Sequence, residues 1–248
     1  MRQHAFYACM LTALSNDWQR GFQHSGSGRF FVAQLHPWNA STDPENVYYY
    51  SAIAPLRRAQ AQGVAASPGA ALATAIDGGD PLAPATSIHP RSKQLPGARL
   101  SQAILSQRYG LPVPYAAPGF ASSTASAAGT ELAVHVVLTA GGGEAPQLRW
   151  VPPSPASNSS RCPTDLQVLP IMCSGFEVML NDAPFPNGTW LPASGALDAS
   201  GMGLVLTATA PRAGLAAAGS RNGWNAWPVV NFYTVEGSLP LLTWEEAV

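Results

Sequence analysis

Apolar residues recur at intervals of four near the start of the chain. Over residues 5–25 this recurrence predicts a helix whose apolar face we expect to lie in a core. A strand is predicted next at Arg29–Leu35, followed by a helix at Tyr48–Gln62 that Gly63 is expected to end. The apolar face of the first helix comprises Phe6, Met10, Leu14, Trp18 and Phe22.

The alternation of strand and helix continues further along the chain. The apolar run from Ala70 to Ile76 is typical of a buried strand, and Gln94–Tyr109 predicts a third helix closed by Gly110. Strands that alternate with helices usually form a parallel sheet. Residues 1–110 are therefore expected to be an α/β unit.

The pattern changes after this third helix. Residues 111–130 are rich in Pro, Ala, Ser and Gly, which is typical of a linker. Short strands without intervening helices follow, and they predict a small β domain over residues 131–248. These strands are expected at Glu131–Ala140, Gly175–Leu180 and Gly203–Thr209.

Aromatic residues are concentrated in the C-terminal tail. They favour one of two roles, which are to stack on sugar rings or to bury the β domain against the α/β unit. Arg221, just before them, is a candidate substrate-binding residue because a guanidinium can hold a sugar carboxylate through two hydrogen bonds. The aromatic residues are Trp224, Trp227, Phe232, Tyr233 and Trp244.

Two carboxylates and one imidazole fall between a predicted strand and a predicted helix. Asp77 follows the strand, Asp80 lies three positions later, and His89 lies nine positions after Asp80. Strand-to-helix loops are where α/β enzymes keep acid–base groups. A histidine that acts as a general base needs an orienting carboxylate, and this loop offers both groups. The alternative is a surface loop with ordinary polar residues.

Several segments of the chain resemble the sialate O-acetylesterase family. The Asp/His loop, Ile76–Pro81 and Ser87–Gln94, resembles the last catalytic block of that family. The resemblance covers about residues 5–110 and 160–244. Further similar segments are Tyr7-Ala8-Cys9, Leu56-Arg57-Arg58-Ala59-Gln60, Trp190-Leu191-Pro192-Ala193 and Arg221-Asn222-Gly223-Trp224.

This resemblance implies a fold, a reaction and a set of site residues. The fold is a three-layer α/β fold of the SGNH-hydrolase type with a parallel sheet, followed by a small β domain. The reaction removes O-acetyl groups from sialic acid or a related acetylated sugar with a serine nucleophile and a histidine base. His89 occupies the position of the base. Asp80 is favoured as its carboxylate partner, because the neighbouring glycines suit a turn, and Asp77 remains the alternative or fixes the loop backbone.

The serine half of such a site is not found in the sequence. The Gly-Asp-Ser-type block of the family and the blocks that supply oxyanion donors have no counterpart, and no Gly-x-Ser-x-Gly motif occurs. Ser25 and Ser27 lie in a Gly/Ser-rich turn and are expected to be loop residues. We therefore expect the leading strands of the parallel sheet to be missing and the chain alone to show little turnover.

Three hypotheses about function remain open on this basis. The first is a carbohydrate O-acetylesterase. The second is a non-catalytic carbohydrate-binding or scaffold remnant of that family. The third is a partial chain whose N-terminal half is encoded upstream or supplied by another polypeptide.

Charge and composition exclude several other partners. Thirteen basic and fourteen acidic residues leave a net charge of −1, so neither nucleic acid nor an anionic membrane is expected to bind. No apolar run approaches the roughly 20 residues of a membrane helix. No cofactor or metal is expected, because no metal-ligand spacing occurs.

Cysteines and sequons favour the secretory pathway. Asn-x-Ser/Thr triplets begin at Asn39, Asn158 and Asn187, and the spacing of Cys162 and Cys173 suits a hairpin disulfide. With the family resemblance, these features predict a lysosomal, vacuolar or extracellular protein, although the N-terminus lacks a signal-peptide pattern. The remaining cysteine, Cys9, is expected to be buried on the first helix.

Missing strands have a structural consequence. A parallel sheet without its leading strands leaves an edge and apolar helix faces uncovered. We therefore expect the chain alone to aggregate, or to pair with itself through the apolar face of the first helix.

Overall fold

The computed structural model describes residues 3–22, 30–38, 47–85, 87–140, 145–153, 162 and 173–248. Within these ranges the chain is a mixed α/β protein, in which helices and parallel strands come first and an antiparallel sheet follows. Ser25, Ser27, Asn39 and Asn158 of the sequence analysis lie outside the described residues.

The first half of the described chain contains helices around one pair of parallel strands, as the periodicity predicts. Both strands are shorter than predicted, whereas the third helix has the predicted bounds. The elements are α1 (Gln3–Gly21), β1 (Phe30–Ala33), α2 (Val47–Ala65), β2 (Ala70–Ala73) and α3 (Gln94–Tyr109).

Gly63 does not end α2, which continues to Ala65. A Cβ at Gly63 would lie 2.9 Å from the carbonyl oxygen of Ala8, so the absent side chain is what lets α1 approach α2. The Thr12 hydroxyl on α1 donates to the Gly63 carbonyl at 3.2 Å and ties the two helices at this point. The glycine therefore serves helix packing rather than helix termination.

The second half of the described chain is almost entirely β structure. Seven strands form one sheet in the order β13-β10-β7-β8-β9-β4-β3, and every pairing in it is antiparallel. The elements are β3 (Pro118–Ala128), β4 (Glu131–Ala140), β5 (Leu148–Trp150), β6 (Cys173–Ser174), β7 (Phe176–Leu180), β8 (Trp190–Leu197), β9 (Gly203–Thr209), β10 (Ala217–Asn222), β11 (Trp227–Pro228), β12 (Phe232–Thr234) and β13 (Trp244–Ala247).

This sheet nearly closes on itself. Its end strands approach each other, because the Leu242 N–H beside β13 donates to the carbonyl of Pro118 on β3 at 2.7 Å. The rings of Phe120 and Trp244 lie 6.1 Å apart across the same gap. A sheet that approaches closure protects its edges, which otherwise present unpaired backbone groups to solvent.

The expected three-layer parallel sheet is wrong for the part of the chain that the structure describes. Parallel pairing occurs there between β1 and β2 and in the short β6–β11 pair, while the main sheet is antiparallel. The reason is that only two strands of the α/β half lie within these residues. The β half supplies most of the strands, and they follow one another without crossover helices.

Part of the predicted linker is a strand. Residues 118–128 form β3, which pairs along its length with β4. Its Ser and Ala side chains are mostly exposed, because β3 ends the sheet and only its backbone has to find partners. The sequence pattern does not indicate this strand, because its small residues form no apolar face and the strand is held by backbone hydrogen bonds.

Strict alternation builds the core of the β half. Leu132, Val134, Val136 and Leu138 of β4 are buried, whereas His135 between them is exposed. Side chains from the neighbouring strands complete one apolar cluster. Its removal from water stabilises the fold. These side chains include Val178, Leu180, Leu204, Leu206, Phe232 and Trp244.

The apolar face of α1 is exposed, contrary to the expectation that it lies in a core. Its five large side chains are between 42% and 66% accessible. The opposite face packs on α2 instead, with Leu11 and Ser15 buried. Cys9 is also exposed on this helix, so its predicted burial is wrong.

The C-terminal aromatic residues mainly serve packing. Trp227, Phe232 and Trp244 are at most 3% exposed, so their faces are not available to a sugar ring. The disulfide between Cys162 and Cys173 is formed, with a Cα–Cα distance of 5.7 Å.

Among the described helices, none combines the length and the apolar character that crossing a bilayer requires.

Candidate active site

The candidate site lies where the two parallel strands end. β1 and β2 pair in register from Phe30–Ala70 to Ala33–Ala73, so the loops that follow them leave the same edge of the sheet. The Gln34 N–H donates to the Ala73 carbonyl at 2.9 Å, and the Thr74 hydroxyl donates to the Gln34 side-chain oxygen at 2.7 Å. Carboxyl ends of parallel strands are the usual place for ligand sites in α/β folds.

Two glycines let the Asp77–Asp80 loop pass between neighbouring rings. A Cβ at Gly78 would lie 2.7 Å from His36 Nδ1, and a Cβ at Gly79 would lie 2.6 Å from the ring of Trp227. No side chain fits at either position without displacing one of these rings. The Gly-Gly pair therefore sets how closely the loop approaches the core.

His36 holds the same loop by a hydrogen bond. Its Nδ1 lies 3.1 Å from the carbonyl oxygen of Gly78, which only accepts, so Nδ1 carries the proton and donates. Burial lowers the pKa of His36 below its ordinary value, with Lys93, Asp77 and Arg57 as the charged groups that act on it. The ring is therefore neutral at neutral pH, and its tautomer is fixed.

Asp77 lies in the loop four positions after the end of β2, and its carboxylate is buried. Its carboxylate accepts two hydrogen bonds from the Arg99 guanidinium of α3, at 2.5 Å and 2.7 Å. The two side chains are 8% and 6% exposed, respectively. Arg99 also donates to the carbonyls of Thr74 at 2.9 Å and Ser238 at 3.4 Å. This ion pair joins the loop to α3 and to the C-terminal segment.

Asp80 closes the loop that carries His89. Arg91 donates to its carboxylate through Nε at 2.8 Å, Nη2 at 2.9 Å and the backbone N–H at 3.1 Å. These hydrogen bonds from Arg91 lower the pKa of Asp80. The pair joins positions 80 and 91, so the intervening segment forms a loop whose ends are fixed.

His89 lies in this closed loop with its side chain exposed. The preceding Ile88 packs against the buried cluster of Ile53 and Ala226, which fixes the backbone beside the imidazole. In the described part of the chain no side chain hydrogen-bonds the ring, and the carboxylates of Asp77 and Asp80 are directed to arginines. The three predicted residues share one strand-end region, but the structure does not join either carboxylate to the imidazole.

Arg57 fixes the backbone next to the site through hydrogen bonds to carbonyls. It is fully buried and donates to the carbonyls of Leu35, His36, Asn225 and Ala226 at 2.7–3.2 Å. Burial lowers its pKa to about 9, which still leaves the guanidinium charged at neutral pH. One buried cation thus connects α2, the loop after β1 and the C-terminal segment.

Arg221 is engaged by carboxylates of the β half. Its guanidinium donates to both oxygens of Glu177 at 2.8 Å and to Glu245 at 3.4 Å. The charged group also lies 4.2 Å from the centre of the Trp190 ring, and the Arg221 side chain is 17% exposed. A substrate carboxylate would have to displace Glu177 to bind here in the predicted bidentate manner.

His36, Arg57 and Arg99 are the supporting residues that the sequence reasoning missed. One signal was available for Arg57. It follows the buried Ile53 by four positions on α2, and the nearby Gln60 is buried as well. Gln60 accepts a hydrogen bond from the Leu35 N–H at 3.0 Å. Polar residues on the apolar face of a helix indicate buried hydrogen-bond partners.

In the described ranges, no group of three or more His, Cys, Asp or Glu side chains is arranged to hold a metal ion. The region contains one exposed imidazole, that of His89, and one partly buried and neutral imidazole, that of His36.

The fold resembles that of a solved carbohydrate esterase. A carbohydrate acetylesterase from Xanthomonas citri matches the chain with a TM-score of 0.66 and 22% sequence identity. The match covers 97% of the present chain and 45% of the esterase chain, so the present chain spans less than half of that protein's length. At this identity the likeness is one of fold. No protein-family model and no curated protein sequence matches the chain.

Proposed function

We propose that the chain carries the histidine part of a carbohydrate O-acetylesterase of the sialate O-acetylesterase type. The observation that carries this proposal is the position of His89, exposed on a closed loop at the carboxyl end of a parallel strand. The shared fold with a carbohydrate acetylesterase supports the reaction class. The substrate class is an O-acetylated sialic acid or a related acetylated sugar.

The proposed reaction proceeds through an acetyl-enzyme. A serine hydroxyl attacks the acetyl carbonyl carbon while His89 accepts the hydroxyl proton, and His89 then gives that proton to the departing sugar oxygen. Water, deprotonated by His89, attacks the carbonyl carbon of the acetyl-serine. The bond to the serine oxygen then breaks, His89 returns the proton to that oxygen, and acetate leaves. The 248 residues contain no Gly-Asp-Ser block, so this reaction needs a serine from polypeptide outside them.

The two aspartates have separate supporting roles in this proposal. Asp80 fixes the loop of His89 through Arg91, and its carboxylate would have to leave Arg91 in order to orient the imidazole. Asp77 fixes the loop after β2 through its buried pair with Arg99. Asp80 is thus the favoured partner of His89, and Asp77 is the structural one.

The test needs a form of the protein that includes a serine block, with acetylated sialic acid as substrate. His89→Ala should lower kcat by about 10³-fold and leave the fold intact, as loss of a general base does. His135→Ala is the matched control, since His135 is an exposed histidine on β4. Equal activity of the two variants would contradict the proposal.

The aspartates give a second, independent comparison. Asp80→Asn should lower kcat more than Asp77→Asn, whereas Asp77→Asn should lower the free energy of unfolding more, because its arginine is buried. The reverse order in kcat would make Asp77 the catalytic carboxylate. The 248-residue chain alone should show little turnover of an activated acetyl ester above buffer.

A non-catalytic carbohydrate-binding protein is the second candidate. It is favoured by one observation, which is that no carboxylate among the described residues contacts His89. Binding of acetylated sugar without acetate release, in a form that includes any upstream segment, would support it over the esterase.

We place this function in the secretory pathway, in a lysosome, vacuole or the extracellular space. The bonded pair Cys162–Cys173 supports an oxidising compartment. The exposed Asn187 of one sequon is accessible to a glycosyltransferase. Glycosidase treatment of the protein from its source should lower its mass if Asn187 is modified, and an unmodified Asn187 would count against this location.

A further inference from the structure

A cavity lies between the α/β half and the β half of the chain. Its volume of about 600 Å³ is in the range that small-molecule sites occupy. One wall is formed by the second half of α2 and by β2, and the other by the start of β3 and the segment that leads into β13. The cavity therefore adjoins the seam where the two end strands of the main sheet approach each other.

The cavity is separate from the candidate active site. Residues 67–72, which lead into β2 and begin it, contribute to the cavity wall. The loop that carries Asp77, Asp80 and His89 follows the opposite end of the same strand. None of these three residues is among the described residues that line the cavity. A ligand in the cavity would therefore leave His89 accessible.

Most of the cavity lining is apolar, and many of its side chains are small. Leu72, Phe120 and Leu242 are half-buried here, so a ligand that covers them removes further apolar area from water. The small residues leave the space open because their side chains extend only a short way from the backbone. They are Ala61, Ala65, Gly69, Ala71, Ala117 and Gly119.

The charged groups of the cavity wall are paired with each other. Arg58 of α2 forms an ion pair with Glu246 of β13, and the two side chains are 29% and 33% exposed. Among the described residues no other charged side chain lines the cavity. A charged ligand would have to displace one member of this pair or remain unpaired in an apolar space, and both are unfavourable. An uncharged ligand meets neither cost.

The Thr243 hydroxyl in the cavity wall has no hydrogen-bond partner in the described part of the chain. Thr243 is only 5% exposed, so water does not readily supply this partner. The hydroxyl lies in the space between the two halves, since a Cβ at Gly223 would be 3.7 Å from Thr243 Oγ1 and 3.7 Å from the side chain of Ile76. Most buried hydroxyls are paired, so a ligand oxygen that reaches Thr243 would provide the missing hydrogen bond.

We propose that this cavity binds an uncharged, largely apolar small molecule that carries a hydroxyl or carbonyl group. The apolar part of the molecule covers the three half-buried apolar side chains, and its oxygen forms a hydrogen bond with the Thr243 hydroxyl. The Arg58–Glu246 pair stays intact beside it. The site does not depend on the proposed esterase reaction, because the cavity lining includes none of Asp77, Asp80 and His89 among the described residues.

Binding is measured on the 248-residue chain by the fluorescence of N-phenylnaphthylamine, an uncharged apolar dye. Ala61→Phe narrows the cavity from α2 and should raise the dissociation constant of the dye at least about tenfold. Gly119→Leu narrows it from β3, where a Cβ meets only Leu242 within 4 Å, and should have the same effect. Ala98→Phe, at an exposed position of α3, is the matched control and should leave the dissociation constant unchanged. Circular dichroism checks that each variant is folded.

Dye binding that neither cavity variant weakens would overturn the proposal, because the dye would then lie on an exposed surface such as the apolar face of α1. Absence of dye binding to the unmodified chain would overturn it as well.

Competitors of equal chain length test the class of ligand. Decanol should displace the dye at concentrations at least about tenfold lower than decanoate or decylammonium, because the ions have to disrupt the Arg58–Glu246 pair. Thr243→Val keeps the shape of the side chain without its hydroxyl, so it should raise the required decanol concentration about fivefold. Equal displacement by the three competitors would overturn the uncharged class, and an unchanged decanol concentration in Thr243→Val would overturn the contact with Thr243.

Discussion

The β half and the α/β half of this chain are stabilised in different ways. In the β half, seven strands nearly close on themselves around a continuous apolar cluster. In the α/β half, two parallel strands and three helices leave a large apolar face in solvent. Its interior contains buried cations instead, with Arg57 donating only to carbonyls and Arg99 paired with Asp77.

This difference shows what fixes the candidate site. The loops after β1 and β2 are tied to Asn225, Ala226 and Ser238, which lie far along the chain. The geometry around His89 therefore depends on the C-terminal segment as much as on the strands that lead into it. The β half holds its own core, whereas the α/β half depends on contacts made for it by other parts of the chain.

The largest expected effect on stability comes from removing the buried cation of Arg57. Arg57→Ala should lower the free energy of unfolding of the 248-residue chain by about 3–5 kcal/mol, because four carbonyls lose a buried donor. The neighbouring Arg58 is the matched control. It pairs with Glu246 at a partly exposed position, so Arg58→Ala should cost at most about 1 kcal/mol. Equal midpoint shifts in urea unfolding would show that Arg57 does not have this role.

The same substitution, leucine to alanine, tests the difference in burial between the two halves. Leu206→Ala should cost about 2–5 kcal/mol, since Leu206 is fully buried in the β core. Leu14→Ala on the exposed face of α1 should change the free energy of unfolding of the chain by no more than about 0.5 kcal/mol. Both values come from urea titration followed by circular dichroism. A large cost for Leu14→Ala would mean that the chain covers this face by itself.

The loop between the rings gives a smaller effect. Gly79→Ala places a Cβ 2.6 Å from the Trp227 ring and should cost about 1–3 kcal/mol through displacement of that ring. Gly97→Ala in α3 meets no atom within 4 Å and should be neutral or stabilising by up to about 1 kcal/mol. Thermal melts of the two variants compare them directly. A neutral Gly79→Ala would show that the loop does not approach Trp227 this closely.

The smallest effect is a pH dependence at the same loop. Burial lowers the pKa of His36 in the folded chain, so the unfolded chain binds the proton more readily. The free energy of unfolding should therefore decrease as the pH falls through about 6.5 towards the lower folded pKa, and should be unaffected by this group above that range.

Two histidine variants assign this slope. His36→Asn keeps a side-chain N–H able to donate to the Gly78 carbonyl but does not titrate, so the slope from this residue should disappear. His135→Asn, at an exposed position of β4, should retain it. Urea unfolding at pH 5, 6 and 7 measures both. An unchanged slope in His36→Asn would assign the titration to another residue.

The sequence predicted the regular elements better than their contacts. The bounds of α3, β4 and β9 were predicted from local signals, such as Gly110 after α3 and the alternation of apolar and polar residues in β4. β3 was missed because small polar residues carry no such pattern. The roles of Arg57 and Arg99 were not predictable in this way, since their partners lie up to 169 and 139 positions away.

For the predicted site residues too, the sequence indicated local position but not long-range contacts. The Asp/His spacing identified the loop, because a strand end and a helix start are local features. The partners of Asp77 and Asp80 depend on which arginine the tertiary fold brings near, so the sequence did not indicate Arg99 or Arg91. Periodicity also did not predict that the α1 face is exposed. The pattern shows that a helix has an apolar face, but it does not show what covers that face.

Amide hydrogen exchange of the 248-residue chain tests the contrast between the halves most directly. The central strands of a sheet that nearly closes exchange mainly when the whole unit unfolds, whereas the elements of an open layer exchange through local opening. We expect the central amides of β4, β7 and β9 to exchange at least about 100-fold more slowly than those of α1 and β1, which corresponds to a difference of about 2.7 kcal/mol in opening free energy. Equal protection of the two sets would contradict the account, because it would mean that the α/β half closes its own core as completely as the β half does.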